Sequence, residues 1–353
     1  MYCTKYIYKI KKCVGAAALY CCASLATGQD IHFTQFFSHP LSVNPAQTGL
    51  FEGNYRLGLN AKMQWAWALQ PGAFNYHTET PYADFSFGER KIKVGWFGAG
   101  FHFVNDDAGD GRLRYRRWGM GIAYHQAFDK HHRYILSAGV SYQYIIRSVD
   151  FSKFYFNNQW VDDEGFNLTI NSQEPLKTEN FSMGDLQAGL HLSAHILNLV
   201  RLDAGFAMLH INRPRHTFLG TDERLGYRYQ VKGGVSYFIN ERMSITADAY
   251  YTTQKRAREI TFGMMYSYGF FDGREIKHRI HTGFYHRFKD MVAPVIGYSF
   301  LNTRLLLNYD INISQLLPAS RADGGLEISF VHTGAWGKDR YRGKKMYCPS
   351  FKR

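Results

Sequence analysis

Every second residue between Arg304 and Ser314 is apolar. Leu305, Leu307, Tyr309, Ile311 and Ile313 form one row, and Arg304, Asn308, Asp310, Asn312 and Ser314 form the other, interrupted only by Leu306. Successive side chains of a β-strand point to opposite faces, so this run reads as a strand with one apolar and one polar face. The pattern returns at 260–270, where Ile260, Phe262, Met264, Tyr266, Tyr268 and Phe270 oppose Thr261, Gly263, Met265, Ser267 and Gly269. It returns again at 185–193, where Leu186, Ala188, Leu190 and Leu192 oppose Asp185, Gln187, Gly189, His191 and Ser193. Followed along the chain, it predicts fourteen strands, at 55–64, 74–87, 94–105, 114–126, 132–146, 182–195, 200–210, 226–238, 243–254, 258–270, 277–288, 291–300, 303–315 and 324–333. Helical periodicity is weak throughout. An even number of antiparallel strands with apolar rows on one face is the pattern of a transmembrane β-barrel.

A soluble β-sandwich or propeller would alternate too. It would not account for 25 Tyr and 27 Phe, many of them on the apolar rows, where a membrane barrel carries its interfacial girdles. The mean hydropathy of -0.34 does not speak against a bilayer, because lumen-facing rows offset lipid-facing ones. No run of 18 apolar residues follows the N-terminus, so no membrane-spanning helix is expected. Connection lengths test the same reading. With a periplasmic N-terminus, connections after odd strands point outward and should be longer. Long connections are expected at 65–73, 106–113, 147–181, 211–225 and 316–323, all after odd strands, while 255–257 and 289–290 are short exceptions. Several inward positions are glycine, as expected where the wall and an interior segment approach closely.

The start of the chain reads as a secretory signal over 1–28. Lys5, Lys9, Lys11 and Lys12 precede an apolar run from Val14 to Ala26, and Ala26-Thr27-Gly28 supplies small residues for cleavage after Gly28. Four of the five cysteines (Cys3, Cys13, Cys21, Cys22) fall in this segment, which leaves Cys348 alone and no intrachain disulfide in the mature chain. The formal charge of +13 drops to +9 without the four signal lysines, and nucleic acid is not an expected partner of an exported chain. Residues 29–54 are rich in Phe (Phe33, Phe36, Phe37) and broken by Pro40, Pro45 and Gly49. They are too aromatic for a free tail and too interrupted for a strand, and are expected to form a plug-like segment in the barrel. The barrel is expected over 55–335 and a basic periplasmic tail over 336–353.

No catalytic motif, metal set or cofactor site is expected. The sequence lacks a G-x-S-x-G elbow, a P-loop and an H-E-x-x-H, and Cys348 has no second cysteine. His131-His132 reads as a solvated turn, and His77 with Glu79 as a hydrogen bond inside the lumen. Arg112, Arg114, Arg116 and Arg117 are expected at the outer rim, where they would meet water or acidic sugars of surface lipid. On the polar row, Asn308 is expected to tolerate arginine much better than Leu307 or Ile311. The tail is basic, with Lys338, Arg340, Arg342, Lys344, Lys345, Lys352 and Arg353 against Asp339.

The mature start, Gln29-Asp30-Ile31-His32-Phe33-Thr34-Gln35-Phe36-Phe37, followed by Pro40-Leu41 and Asn44-Pro45-Ala46, resembles the PorP/SprF family of outer-membrane proteins. So do Lys62-Met63-Gln64-Trp65, Tyr309-Asp310, Ser314, Gly324-Gly325-Leu326-Glu327-Ile328-Ser329 and the terminal Cys348-Pro349-Ser350-Phe351. The match departs at Leu326, where histidine is common, at Lys62, where arginine is common, and at Phe37, where tyrosine is common. The resemblance implies a non-enzymatic component of the type IX secretion system of Bacteroidetes. Such a component would sit in outer-membrane lipid, work with the translocon and the periplasmic ring, and assist secretion or surface anchoring of cargo such as gliding adhesins. Its motifs mark Asn44, Pro45, Gln64, Trp65, Cys348, Pro349 and Phe351 as candidate partner-binding residues, and the basic charge of the tail adds Lys344 and Lys345. The alternative is an outer-membrane diffusion channel for small hydrophobic compounds, similar to fatty-acid transporters, which share fourteen strands, an N-terminal plug and an early Asn-Pro-Ala.

Overall fold

The computed structural model describes residues 31–336 except 66–75, 89–93, 110, 163–164, 168, 173–178, 198, 219–220 and 273–274. Fourteen strands make the wall: β1 (Tyr55–Gln64), β2 (Tyr76–Phe87), β3 (Gly95–Ala108), β4 (Leu113–Ala127), β5 (Tyr134–Ser148), β6 (Asn180–Ile196), β7 (Val200–Leu209), β8 (Arg228–Phe238), β9 (Met243–Gln254), β10 (Ala257–Asp272), β11 (Glu275–Arg287), β12 (Met291–Phe300), β13 (Thr303–Asn312) and β14 (Asp323–Gly334). Each pairs antiparallel with the next, and β14 pairs with β1 from Tyr55↔Gly334 to Gln64↔Gly325, closing the barrel. Closure leaves no sheet edge, so the wall satisfies its own backbone groups, as a bilayer requires.

The alternation is realised as two faces. Leu305, Leu307, Ile311, Ile260, Phe262, Met264, Leu186, Leu190 and Leu192 are all exposed on the outside. An apolar exterior running around a closed wall fits hydrocarbon and not water. On the inside, Asn308, Asp310, Thr261, Ser267, Asp185, Gln187, His191 and Ser193 are buried. Leu306, the residue that breaks the alternation, is also inside and wholly buried, and Met265 on β10 is buried too. Both belong to an apolar cluster with Phe36, Val43, Tyr250, Tyr285 and Val295. The lapse in period marks where the wall meets an apolar part of the interior.

Because Tyr55 pairs with Gly334, β1 begins and β14 ends at one end of the barrel, here the terminal end. Connections after odd strands lie at the opposite, loop end. They include 149–179, which carries a short hairpin of Trp160–Val161 with Gly165–Phe166, as well as 210–227 and 313–322. One expected long loop, 106–113, is instead a tight connection. Strands β3 and β4 run to Ala108 and from Leu113, and pair across Asp106↔Tyr115 and Asp107↔Arg114. The acidic pair at 106–107 reads as loop in sequence because it is polar. In the fold it is rim, with Arg114 Nε 3.5 Å from Asp107 Oδ1.

Candidate functional site

Residues 31–50 fill the lumen. Ile31 packs near Val104, Tyr115, Ile145 and Met183, all close to the loop end of β3 to β6. His32 Nδ1 is 3.3 Å from Glu259 Oε2, near the loop end of β10. At the other extreme the Trp96 indole donates to the Gly49 carbonyl at 3.1 Å, and the Asn54 N–H donates to Gly334 O at 2.7 Å. The segment therefore runs the length of the lumen, from the loop end down to the start of β1.

Its local form follows from its breakers. Two 3-10 turns, Phe36–Ser38 and Pro45–Gln47, flank one helical turn, Pro40–Val43. Both prolines sit at the first helical position, where their fixed φ and missing N–H do no harm. His39 Nδ1 accepts from the Ser42 N–H at 3.2 Å and Asn44 Oδ1 from the Ala46 N–H at 2.9 Å, so both proline-led turns carry a side-chain cap. Burial pushes the His39 imidazole down to about 3, with the positive charge of Arg117 adding to the effect. It stays neutral and serves as a cap acceptor. Phe36 stacks on Tyr250 and Phe37 on Tyr285, each with ring centroids 5.2 Å apart, inside the apolar cluster of the wall.

Towards the loop end the segment is held by charge. The Glu327 carboxylate on β14 accepts from two consecutive backbone N–H groups, Thr34 at 2.9 Å and Gln35 at 2.8 Å. Thr34 Oγ1 is 2.9 Å from both oxygens of Asp310 on β13, and Lys62 Nζ on β1 is 2.9 Å from Asp310 Oδ2. Gln35 Nε2 donates to Asn308 Oδ1 at 2.5 Å, and Ser329 Oγ donates to Gln35 Oε1. Arg287 on β11 reaches Thr34 Oγ1 at 3.3 Å. A buried charge is tolerated only when paired and hydrogen-bonded, and hydrogen bonds to ionised groups are the strong ones. This network centres on three adjacent strands, β1, β14 and β13, at the barrel's closing seam, and reaches β11 through Arg287.

Midway, Asn44 and Pro45 lie against the wall where it has no side chains. Asn44 Nδ2 donates to Leu190 O at 2.8 Å and to Phe206 O at 3.3 Å, tying β6 to β7. A Cβ on Gly189 would lie 2.0 Å from Asn44 Oδ1, and one on Gly139 would lie 2.5 Å from Pro45 O. Glycine is required at both positions by the approach of the Asn-Pro-Ala turn. Towards the terminal end, Arg56 makes a two-point contact with Asp84 at 2.9 and 2.7 Å. Asp84 also accepts from the Gly49 N–H at 2.7 Å, and Arg56 donates to Gln47 O at 3.2 Å.

The candidate residues thus separate. Asn44 and Pro45 face the lumen wall, whereas Gln64 ends β1 at the loop-end mouth and Trp65 follows it. Lys344, Lys345, Cys348, Pro349 and Phe351 lie outside the described residues. Three expectations need correction. His77 and Glu79 are 3.5 Å apart but on the outward row of β2, half-exposed near the rim, because Thr78, Thr80 and Asp84 take the inward row. Of the rim arginines, Arg117 instead points inward and is buried, with Nη2 3.4 Å from Ser42 Oγ. Asn308 is not a tolerant lumen position: it lies buried beneath Gln35 and donates to Asp310 Oδ1 at 2.7 Å. Sequence reasoning missed the seam network. Its trace was the presence of Lys62, Asp310 and Glu327 on inward rows of strands that become neighbours only on closure.

A closed fourteen-strand wall with an apolar exterior and an interior segment bonded to it all round defines a plugged barrel of the outer-membrane type. A family profile described as type IX secretion system membrane protein PorP/SprF matches residues 25–331. The chain belongs to this family, and fold and family together support the outer membrane as its location. Among solved structures, the toluene transporter TodX of P. putida is similar, with 10% identity and a TM-score of 0.48 over 83% of this chain and 93% of that one. A Pseudomonas aeruginosa FadL homologue matches with 10% identity and a TM-score of 0.45, covering 82% of this chain and 92% of that one. The KdgM porin matches with 9% identity and a TM-score of 0.37, covering 79% and 98%. No curated protein matches the sequence.

Proposed function

We propose that this chain is a non-enzymatic barrel that assists the type IX translocon in exporting or anchoring particular surface proteins. In this reading it is exported by a signal peptide over 1–28 cleaved after Gly28, and carries a plug over 29–54, a barrel over 55–335 and a periplasmic tail over 336–353. The long connections face outward, and the tail meets periplasmic ring components through Lys344, Lys345 and a Cys348-Pro349-Ser350-Phe351 end. The observation that carries the reading, beside family membership, is the lumen itself. The segment 31–50 is held to inward side chains of β1, β2, β13 and β14 and to backbone carbonyls of β6 and β7. A conduit for diffusing solutes is poorly served by an interior fixed with paired buried charges, which supports a scaffold over a channel.

The test is to delete the gene and compare surface-exposed proteins, then restore either the full chain or a version ending at Gly337. Loss of a defined set of surface proteins, rescued fully by the whole chain and weakly by the truncated one, is expected. Normal surface proteins together with impaired uptake of small hydrophobic compounds would favour the diffusion-channel alternative.

A further inference from the structure

A small chamber of about 30 Å³ lies between the interior segment and the wall. His39 and Ser42 line it from the segment, Arg117 from β4, Arg228 and Gln230 from β8, and Tyr250 from β9. Among the described residues no acid lines it. Glu259, which touches the lining residue His32 at 3.3 Å, is also engaged by Arg287 at 3.5 Å. Arg117 brings a charge that the chain does not match. The contact of its Nη2 with Ser42 Oγ at 3.4 Å places the guanidinium in the lumen, and the residue is 8% exposed. Among the described residues no carboxylate pairs with it, and its Nε–H has no acceptor. A second donor is fixed by the segment's own cap. His39 Nδ1 accepts the Ser42 N–H, so the neutral imidazole carries its proton on Nε2, which is buried and also without a partner. The buried Gln230 carboxamide has an oxygen with no partner either, and turned over it offers its NH2.

We propose that this chamber holds one halide ion, such as chloride, bound by the Arg117 Nε–H, the His39 Nε2–H and the Ser42 hydroxyl. A buried charge is tolerated only when it is matched, and this guanidinium has no match among the described residues. Donors are in excess, so the missing group is an acceptor that carries negative charge. The space admits one monatomic anion and nothing as large as a sugar acid or a phosphate. Water is the poorer match, since it would satisfy the donors and leave the charge standing. The ion would tie β4 to the Pro40–Val43 turn, on a different arc of the wall from the seam. The site stands on the lumen geometry alone and is independent of the role in export.

The test uses the whole protein, folded in detergent micelles, in sodium chloride, sodium bromide and sodium gluconate at one ionic strength, so that general screening is constant. Halide should raise the thermal midpoint saturably, by about 2–4 °C over gluconate, as expected of a ligand that binds only the folded state. It should also slow proteolysis within 31–50. Arg117→Met should abolish both effects. In gluconate it should unfold at the same temperature as the natural protein or higher, because it removes an unmatched charge. Ser42→Ala should weaken the halide response, and gives a second reading should Arg117→Met fail to fold. Crystals of the unaltered protein soaked in bromide should show an anomalous peak beside Arg117 Nε and His39 Nε2. Equal midpoints in the three salts, an Arg117→Met variant destabilised equally in all of them, or water in place of the bromide peak would overturn the proposal.

Discussion

Lys62 and Asp310 form a buried ion pair at 2.9 Å that bridges β1 and β13 across the strand lying between them. That strand is β14, whose Glu327 pairs in register with Lys62 on one side and with Asn308 on the other. The seam that closes the barrel and the network that fastens the interior segment are therefore the same group of residues.

Removing either charge leaves the other buried and unmatched. Lys62→Met and Asp310→Asn should each destabilise the folded protein by about 3 kcal/mol or more. The double variant should lose clearly less than the two combined, because both changes remove one interaction. Urea unfolding in lipid vesicles reads all three, and strict additivity would mean that the two charges do not act as a pair.

The two faces of β13 should fail in different ways. Leu307→Arg places charge against lipid and should cost roughly 2–4 kcal/mol near the midplane, seen as a lower folding yield. Asn308→Arg should leave the outer wall intact but expel Gln35 and Thr34, exposing residues 31–50 to protease in an assembled barrel. A protected segment in the Asn308 variant would show that the lumen has more room than the contacts indicate.

Adding a methyl group at the two close approaches should separate side-chain from backbone clashes. Gly189→Ala and Gly139→Ala should each cost about 1–3 kcal/mol through overpacking. Asn44→Ala should recover part of the loss at Gly189, where the nearest atom is Asn44 Oδ1, and nothing at Gly139, where it is the Pro45 carbonyl. Thermal unfolding of the single and double variants checks this; equal rescue at both sites would contradict the assigned contacts.

Deleting 29–53 should leave an assembled, heat-modifiable barrel, since the wall's hydrogen bonds are made between strands. Conductance in planar bilayers should rise, because Glu327, Asp310 and Lys62 would then line water. Unchanged conductance from a folded truncated barrel would mean that another part of the chain closes the lumen.

Acid should loosen the interior segment through His39. Its folded pKa lies below that of a free imidazole, so the unfolded chain takes up the proton first, and stability is lost as pH falls from about 6.5 towards 3. His39→Asn keeps a cap acceptor without the titration, so its stability should fall less steeply over that range. Parallel pH dependences in the two proteins would remove His39 from the account.

The strands were legible in the sequence because alternation has only one physical reading, and Leu306 stood out as a departure that proved to face the apolar cluster. The rim was less legible. Asp106 and Asp107 are polar enough to pass for loop, and only their cross-strand partners on β4 show them to be wall. The inward row could be identified, but not the meeting of its members across the lumen: Thr34 and Asp310 are 276 positions apart, and no local pattern encodes that pairing. For the same reason Asn308 looked replaceable, and Asn44-Pro45 could be recognised as a motif without revealing the glycines that make room for it.

Because the chain descends through the lumen from Ile31 before turning back as β1, the wall has to be wrapped around a strand of its own chain. Closing first and threading afterwards would require pulling folded turns past Gly139 and Gly189, where there is no clearance for a single methyl group. The finished shape is therefore a ring shut over its own leading segment, with the last strand lying directly against the residues that hold that segment.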